Sequence, residues 1–197
     1  MTALAISNVV LWVLVVVLSA VVLALTRQLG VLHERIAPAG ALMLNRGLTV
    51  GDPAPVLEVT DLEGRALQVG VARTDGRSTL LLFVSPTCPV CKSLLPAVKS
   101  SRKEERAWMD VILASDGDTS EQRSFVRAQG LEGIPYVVSA ALGLAFQVSR
   151  LPFAALLDER GVVRARGLVN SREHLESLFE AKRLGVASLQ EYFSGAA

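Results

Sequence analysis

Two cysteines, Cys88 and Cys91, are the residues whose type and spacing point most directly to chemistry. The chain has no other cysteine, and Pro89 and Val90 separate the pair. Polar residues 85–87 follow an apolar run, so we expect the motif where a buried strand ends and a helix begins. Backbone N–H groups at a helix N-terminus stabilise a thiolate, which makes Cys88 the expected nucleophile. Cys91, one helical turn later, is placed to resolve a mixed disulfide, so the pair is predicted to be a redox disulfide.

Two other interpretations of the cysteines fit the sequence less well. A structural zinc site needs about four nitrogen or sulfur ligands, and the two histidines, His33 and His174, lie far from the motif in sequence. A pair of reduced core cysteines is not expected to follow a polar segment directly. The net charge of +1 provides no electrostatic footprint for nucleic acid. We therefore predict no metal, no cofactor and no nucleic-acid partner.

A second candidate for the site is the proline that precedes a predicted strand, in the segment Leu151-Pro152-Phe153. One interpretation is a cis-proline loop facing the cysteines, whose backbone groups pair with an extended substrate segment. The alternative is an ordinary edge or turn proline. On the first interpretation, Leu151 and Pro152 contact the substrate together with Pro89 and Val90.

The pattern of apolar residues predicts an α/β domain with a mixed central sheet. Thr79–Val84 is a continuous apolar run, as a strand buried on both faces requires, and Met109–Ala114 is predicted to be the next buried strand. A helix is expected from the cysteine motif to about Arg106, and Pro96 is expected to kink it because proline lacks the backbone N–H. The remaining predicted elements are the hairpins Val56–Thr60 with Ala66–Val69 and Phe153–Asp158 with Val162–Arg166, a helix capped by Ser120 that reaches Gln129, and a final helix over Ser171–Leu184.

The N-terminal segment is predicted to be one transmembrane helix in contact with the lipid bilayer. It contains no charged residue from Thr2 to Thr26, and about 20 apolar residues suffice to cross the bilayer core. A cleaved signal peptide is the alternative, but a basic n-region and a nearby small-x-small site are missing. The predicted organisation is an anchor at 1–27, a connector at 28–48, a domain at 49–186 and a tail at 187–197.

The charges beside this helix bear on its orientation. Arg27, Arg35 and Arg46 follow the helix, and no charged side chain precedes it. By the positive-inside rule this asymmetry favours a cytoplasmic domain.

The order of elements over about residues 48–184 resembles the membrane-anchored thioredoxin-like proteins of bacterial envelopes. Within them the chain is similar to the MauD family of methylamine utilisation proteins. Three segments carry this resemblance: Leu-His-Glu-Arg-Ile-Ala-Pro-Ala-Gly-Ala-Leu at 32–42, Ser-Pro-Thr-Cys-Pro-Val-Cys-Lys at 85–92, and Gly-Val-Ala-Ser-Leu-Gln-Glu-Tyr at 185–192. The first and last lie outside the generic fold, so the resemblance is specific to the family.

The resemblance implies a thiol–disulfide oxidoreductase or isomerase that assists disulfide formation and maturation of the methylamine dehydrogenase small subunit. It also implies an inner-membrane protein beside the membrane protein MauE, with its domain in the periplasm, against the arginine bias. Two alternatives stay open. One is a membrane-tethered reductase for another exported protein, such as an apocytochrome. The other is a non-catalytic assembly factor that holds the immature subunit.

The sequence departs from the wider superfamily at positions near the cysteines. Thr87 replaces the tryptophan of thioredoxin, Leu82 replaces its buried aspartate, and Leu94 replaces a glutamate of many envelope reductases. No carboxylate is therefore evident to take the proton from Cys91. Either Glu58 or Asp116 is brought near by the fold, or the protein acts as an oxidant or isomerase for which that step matters less.

Overall fold

The computed structural model describes residues 6–8, 10–22 and 48–184. Residues 6–8 and 10–22 are helical (α1), and the chain up to 46 and the chain from 47 onward form separate compact units. In those described ranges no helix combines the length and apolar character needed to cross a membrane. Parts of the predicted anchor, most of the connector at 28–48 and the tail at 187–197 lie outside the described residues.

The domain is built on a mixed five-stranded sheet, as the sequence predicts, with strand order β5-β4-β3-β6-β7. The strands are β1 (Leu57–Thr60), β2 (Ala66–Val69), β3 (Ser78–Phe83), β4 (Met109–Ser115), β5 (Tyr136–Val138), β6 (Phe153–Leu157) and β7 (Val163–Leu168), and the helices are α2 (Pro89–Glu104), α3 (Thr119–Gln129), α4 (Ala140–Ala145) and α5 (Arg172–Leu184). Central β3 runs parallel to β4 and antiparallel to β6. Strands β1 and β2 form a separate antiparallel hairpin.

The side chains of β3 fill both faces of the sheet, which explains the apolar run from Leu80 to Phe83. Leu80 and Leu82 belong to a core cluster that includes residues of α2 and α5. Leu81 and Phe83 belong to a second cluster with residues of α4 and partly buried residues of the β1–β2 hairpin. Every residue of β3 is buried, so the strand that leads to the cysteines is held from both sides.

The boundaries of α3 correct one prediction from the sequence. Asp118, and not Ser120, caps the helix, because its carboxylate accepts hydrogen bonds from the N–H groups of Ser120 at 2.9 Å and Glu121 at 3.0 Å. A negative side chain at this position also interacts favourably with the helix dipole. Gly130 ends the helix in a left-handed conformation with φ of 58°, as expected.

Asp158 holds the turn between β6 and β7 from a buried position. One carboxylate oxygen accepts from the backbone N–H groups of Arg160 and Val162, each at 2.9 Å, and the other accepts from Arg164 Nε at 2.8 Å. Its side chain is only 2% exposed. Burial raises the pKa of Asp158, but the hydrogen bonds from Val162, Arg164 and Arg160 outweigh burial and hold the pKa below its usual value.

Replacing Asp158 should therefore lower stability in a pH-dependent way. The Asp158→Asn variant should lose about 1–3 kcal/mol of unfolding free energy at pH 7, because the charge facing Arg164 disappears. The pKa of Asp158 is lower in the folded chain than in the unfolded chain, where it is about 3.9, so the ionised carboxylate stabilises the fold at pH values above about 3.9. This contribution is lost as the pH falls through the folded pKa. Denaturant titrations from pH 7 to pH 3 should show the difference shrinking below about pH 4. Glu132→Gln, at an exposed carboxylate, is the control, and a pH-independent difference would contradict this account.

Candidate active site

The two cysteines form a disulfide at the start of α2, with their Cα atoms 5.2 Å apart. Cys88 is the N-cap residue, in an extended conformation with φ of −88° and ψ of 111°. The backbone N–H of Cys91 donates to Cys88 Sγ at 3.1 Å, so the sulfur takes the place that a capping oxygen usually occupies. Cys88 is half-buried, whereas Cys91 has no exposed surface.

A short polar turn carries the chain from β3 into α2. The Cys88 N–H donates to the Ser85 carbonyl at 3.2 Å, and the Thr87 N–H donates to Ser85 Oγ at 3.3 Å. The hydroxyl groups of Ser85 and Thr87 lie 3.0 Å apart. Pro89 occupies the first turn of the helix, where a missing N–H leaves no bond unmade. The local sequence thus explains why the strand ends and the helix begins at Cys88.

The surroundings of Cys91 are apolar. Cys91 belongs to the same buried cluster as Leu82 and Leu94, which are 0% and 2% exposed. Of the carboxylates suggested from the sequence, Glu58 is exposed on β1 and accepts a hydrogen bond from Gln68 at 2.9 Å, and Asp116 is exposed just after β4. Within residues 48–184, no hydrogen bond joins a carboxylate to either cysteine. The structure therefore does not bring Glu58 or Asp116 into hydrogen-bond contact with Cys91.

The segment before β6 adopts a cis peptide bond between Leu151 and Pro152. Because Phe153 pairs with Phe83 across the sheet, this loop lies at the end of β3 from which the chain leads to Cys88. Pro152 is buried and its carbonyl accepts from Val169 N–H at 3.1 Å, while Leu151 is 37% exposed. In the described part of the domain, the backbone of Leu151 makes no hydrogen bond. Leu151 thus presents a free donor and a free acceptor.

The residues between the cysteines are also accessible. Pro89 is exposed, and Val90 is 40% exposed despite its apolar side chain. The structure therefore brings the four residues predicted to contact substrate to the same end of β3 as Cys88. Their role in binding stays a prediction. Among the residues that the structure describes, no group of three or more His, Cys, Asp or Glu side chains is placed to hold a metal ion.

Two short elements, β5 and α4, and a cavity beside the cis-proline loop are not predicted from the sequence. The cavity has a volume of about 340 Å³, and its lining includes Phe83 and Val84 of the central strand region, Leu144 of α4 and Leu151. The missed strand has three residues and the missed helix has six. Elements this short give no measurable apolar period. The one local signal is Ser139, whose hydroxyl caps α4 by accepting from Leu142 N–H at 3.2 Å.

Arg166 connects α4 to the strand that follows the cis-proline. Its guanidinium donates to the carbonyl of Phe146 at 3.0 Å and to the carbonyl of Leu48, and it lies 5.1 Å from the ring centre of Phe153. Burial lowers the pKa of Arg166 from its usual value. The contacts fix the end of α4 relative to β6, and therefore fix one wall of the cavity.

Comparisons with known proteins place this geometry in a family. Residues 49–182 match the family model described as Redoxin. Two solved structures share the fold. One is a putative thiol:disulfide interchange protein DsbE from Chlorobium tepidum, with TM-score 0.61, 19% identity, and coverage of 69% of this chain and 99% of that one. The other is DsbF of MTB, with TM-score 0.55, 19% identity, and coverage of 64% and 94%. These likenesses confirm the thioredoxin-like fold.

Two relatives are similar over almost the whole chain. The methylamine utilization protein MauD of Paracoccus denitrificans is 47% identical over 188 residues, which cover 95% of this chain and 93% of the relative. The protein of the same name from Methylobacillus flagellatus is 47% identical over 186 residues, which cover 94% and 90%. With this extent of identity, the chain belongs to the MauD family of methylamine utilization proteins.

Proposed function

We propose that this chain is a thiol–disulfide oxidoreductase that transfers its Cys88–Cys91 disulfide to an exported protein. The observation that carries the proposal is the asymmetry of the disulfide. Cys88 lies half-buried at the N-cap of α2 with an N–H aimed at its sulfur, and Cys91 is enclosed by apolar side chains. An incoming thiolate therefore has access to Cys88 and not to Cys91.

The reaction follows from that access. A client thiolate attacks Cys88 Sγ, the bond between the two cysteines breaks, and Cys91 leaves as a thiolate that takes up a proton. A second client thiolate then attacks the client sulfur in the mixed disulfide, and Cys88 leaves as a thiolate. The two client thiols are thus oxidised to a disulfide. The Cys88–Cys91 disulfide takes up the two electrons and is reduced to two thiols. Leu151 is 37% exposed and its backbone makes no hydrogen bond, so it is available to pair with the client segment during these steps.

The capping contact favours the oxidising direction. In the reduced form, the Cys91 N–H and the start of α2 stabilise the Cys88 thiolate. Stabilising the reduced form raises the reduction potential of the pair, so the disulfide form becomes the better oxidant. The apolar surroundings of Cys91, with Leu94 at the place of a glutamate, provide no proton acceptor that would favour the reducing direction.

The client proposed from the family is the small subunit of methylamine dehydrogenase. The relatives are named for methylamine utilization, and the family resemblance implies maturation of that disulfide-rich subunit beside the membrane protein MauE. An extended, unfolded client suits a loop with a free backbone donor and acceptor.

A non-catalytic assembly factor is the second candidate. Exposed apolar side chains surround the site, with Val90 at 40%, Leu144 at 73% and Leu151 at 37% exposure. Such a surface can hold an immature chain without any redox step.

Two substitutions separate catalysis from holding. Cys88→Ser should abolish maturation of the client subunit while the domain stays folded, because Cys88 is half-buried and serine leaves no cavity of consequence. Pro152→Ala should give a milder loss, since it alters the loop without removing a reacting atom. The measurement is the amount of correctly disulfide-bonded small subunit in cells that carry each variant at matched expression.

Thr87→Ser is the matched control, because it changes a neighbouring exposed side chain and keeps both sulfurs. Its yield of client should stay close to that of the unmodified chain. Normal client levels with Cys88→Ser would rule out the redox function. A holding protein would show the reverse order, with Pro152→Ala more damaging than Cys88→Ser.

The proposed location is the inner membrane, with residues 1–27 as anchor and the domain in the periplasm. Every described residue from 10 to 22 is exposed, and large apolar side chains such as Val10, Leu14 and Val17 are more than half exposed. A helix that is apolar on all sides suits a lipid environment. Disulfide transfer also requires an oxidising compartment, which supports the periplasm over the arginine bias.

Reporter fusions after Leu184 test this orientation. An alkaline phosphatase fusion should be active in bacteria and should sediment with the membrane fraction. The matched control is a fusion at the same point that lacks residues 1–27, which should lose both properties. An inactive phosphatase fusion together with an active cytoplasmic reporter at the same residue would show that the arginine bias sets the topology.

A further inference from the structure

The cavity beside the cis-proline loop is continuous with the surface proposed to bind the client. Leu151 belongs both to the loop and to the cavity lining, and Val84, which precedes the turn to Cys88, lines it as well. A client segment that pairs with the Leu151 backbone therefore runs along the cavity opening. Side chains of an extended segment alternate in direction, so one of them would point toward this opening.

One aromatic side chain lines the cavity and belongs to a cluster of three rings. Phe83 lines the cavity and is only 4% exposed. Its ring packs against Phe146 and Phe153, with ring centres 5.9 and 6.4 Å apart and tilts of 47° and 57°. Aromatic rings favour such tilted contacts over stacking face to face. A guest ring above Phe83 would extend this cluster.

Most of the residues that line the cavity are apolar or small, while Ser115, Ser139 and Ser149 add hydroxyl groups and two lining residues are charged. Leu144 is 73% exposed and Val148 is half-buried, so both offer apolar surface to a guest. Asp116 and Arg150 lie among the lining residues and are exposed, and they are of opposite charge. Because the two charges are of opposite sign, they give no preference for a charged guest side chain of either sign.

The volume fits a large side chain. An apolar cavity of about 150 Å³ accommodates benzene, and this one has about 340 Å³. A methyl group would leave most of that space unfilled, whereas a two-ring side chain would exclude water from much of it.

From these observations we infer that the cavity is a specificity subsite for an aromatic side chain, such as tryptophan, close to the reacting cysteine of the client. The inference rests on the proposed disulfide transfer and names the class of client segment that the same site selects. Cys-containing segments with an aromatic neighbour are preferred over those with a small or charged neighbour.

Gly143 in α4 provides a way to fill the cavity without disturbing the fold. It lines the cavity, and a Cβ built at this position meets no heavy atom of a neighbouring residue within 4 Å. Its φ lies outside the left-handed region, so a side chain causes no backbone strain. Gly143→Leu should therefore occupy the cavity, while Gly143→Ala is the matched control that leaves most of it open.

The experiment follows thiol–disulfide exchange between the oxidised full-length chain in detergent and synthetic dithiol peptides. The peptides share one cysteine pair and differ only in one flanking residue, which is Trp, Ala or Lys. In each reaction the peptide thiols become a disulfide, and the Cys88–Cys91 disulfide becomes two thiols. The second-order rate for the Trp peptide should exceed that for the Ala peptide by about tenfold, as burial of a large apolar side chain allows.

Gly143→Leu should reduce this preference to less than about twofold, whereas Gly143→Ala should keep most of the preference. Equal Trp and Ala rates in the unmodified chain would overturn the subsite and leave disulfide transfer intact. A faster Lys peptide, or a preference that survives Gly143→Leu, would also overturn it. Failure of every peptide to exchange would instead overturn the proposed transfer, and the subsite with it. The comparison of peptides on the unmodified chain requires no variant, so the test stands even if Gly143→Leu fails to fold.

Discussion

The contact on which the site depends is the hydrogen bond from the Cys91 N–H to Cys88 Sγ, 3.1 Å long, at the first turn of α2. It places one sulfur at the positive end of a helix, where negative charge is stabilised. The contact exists because β3 ends in a polar turn and α2 begins immediately after it. It is maintained because β3 is buried on both faces and the first turns of α2 pack into the same core. Most of the packing around β3 and α2 thus holds Cys88 and Cys91 in position.

The same packing gives the two sulfurs different chemistry. Cys91 is buried in the core cluster with Leu82 and Leu94, whereas Cys88 is half-buried and lies beyond the end of β3 to which the loop with Leu151 also belongs. On the proposed mechanism a client sulfur meets Cys88 first, and the unpaired backbone of Leu151 guides the client segment. Residues of α4 line the cavity beside this loop, and Arg166 holds the end of α4 in place through the carbonyl of Phe146. On this account the reactivity of the sulfur depends on the start of α2, and the selection of the client depends on the cavity beside α4.

The sequence predicted the elements that are marked by a clear pattern of apolar residues or by a distinctive residue. The apolar run of β3, the buried strand β4, the cysteine pair at a strand-to-helix junction and the proline before β6 all stand where expected. Two kinds of feature were missed or misassigned. The cap of α3 is Asp118 and not Ser120, because three adjacent polar residues all have capping side chains and only the folded backbone selects one. The second is β5 with α4, which are too short for a pattern, and the cavity that α4 forms depends on tertiary contacts such as those of Arg166.

We propose that the start of α2 makes Cys88 the reactive sulfur and that burial makes Cys91 the resolving one. The most direct measurement is the alkylation rate of each thiol in the fully reduced chain at neutral pH, resolved by peptide mapping. Because the thiolate is the reacting form and Cys91 is fully buried, Cys88 should be alkylated at least about tenfold faster. Denaturation before labelling should remove the difference. Equal rates in the folded chain, or faster alkylation of Cys91, would contradict the account.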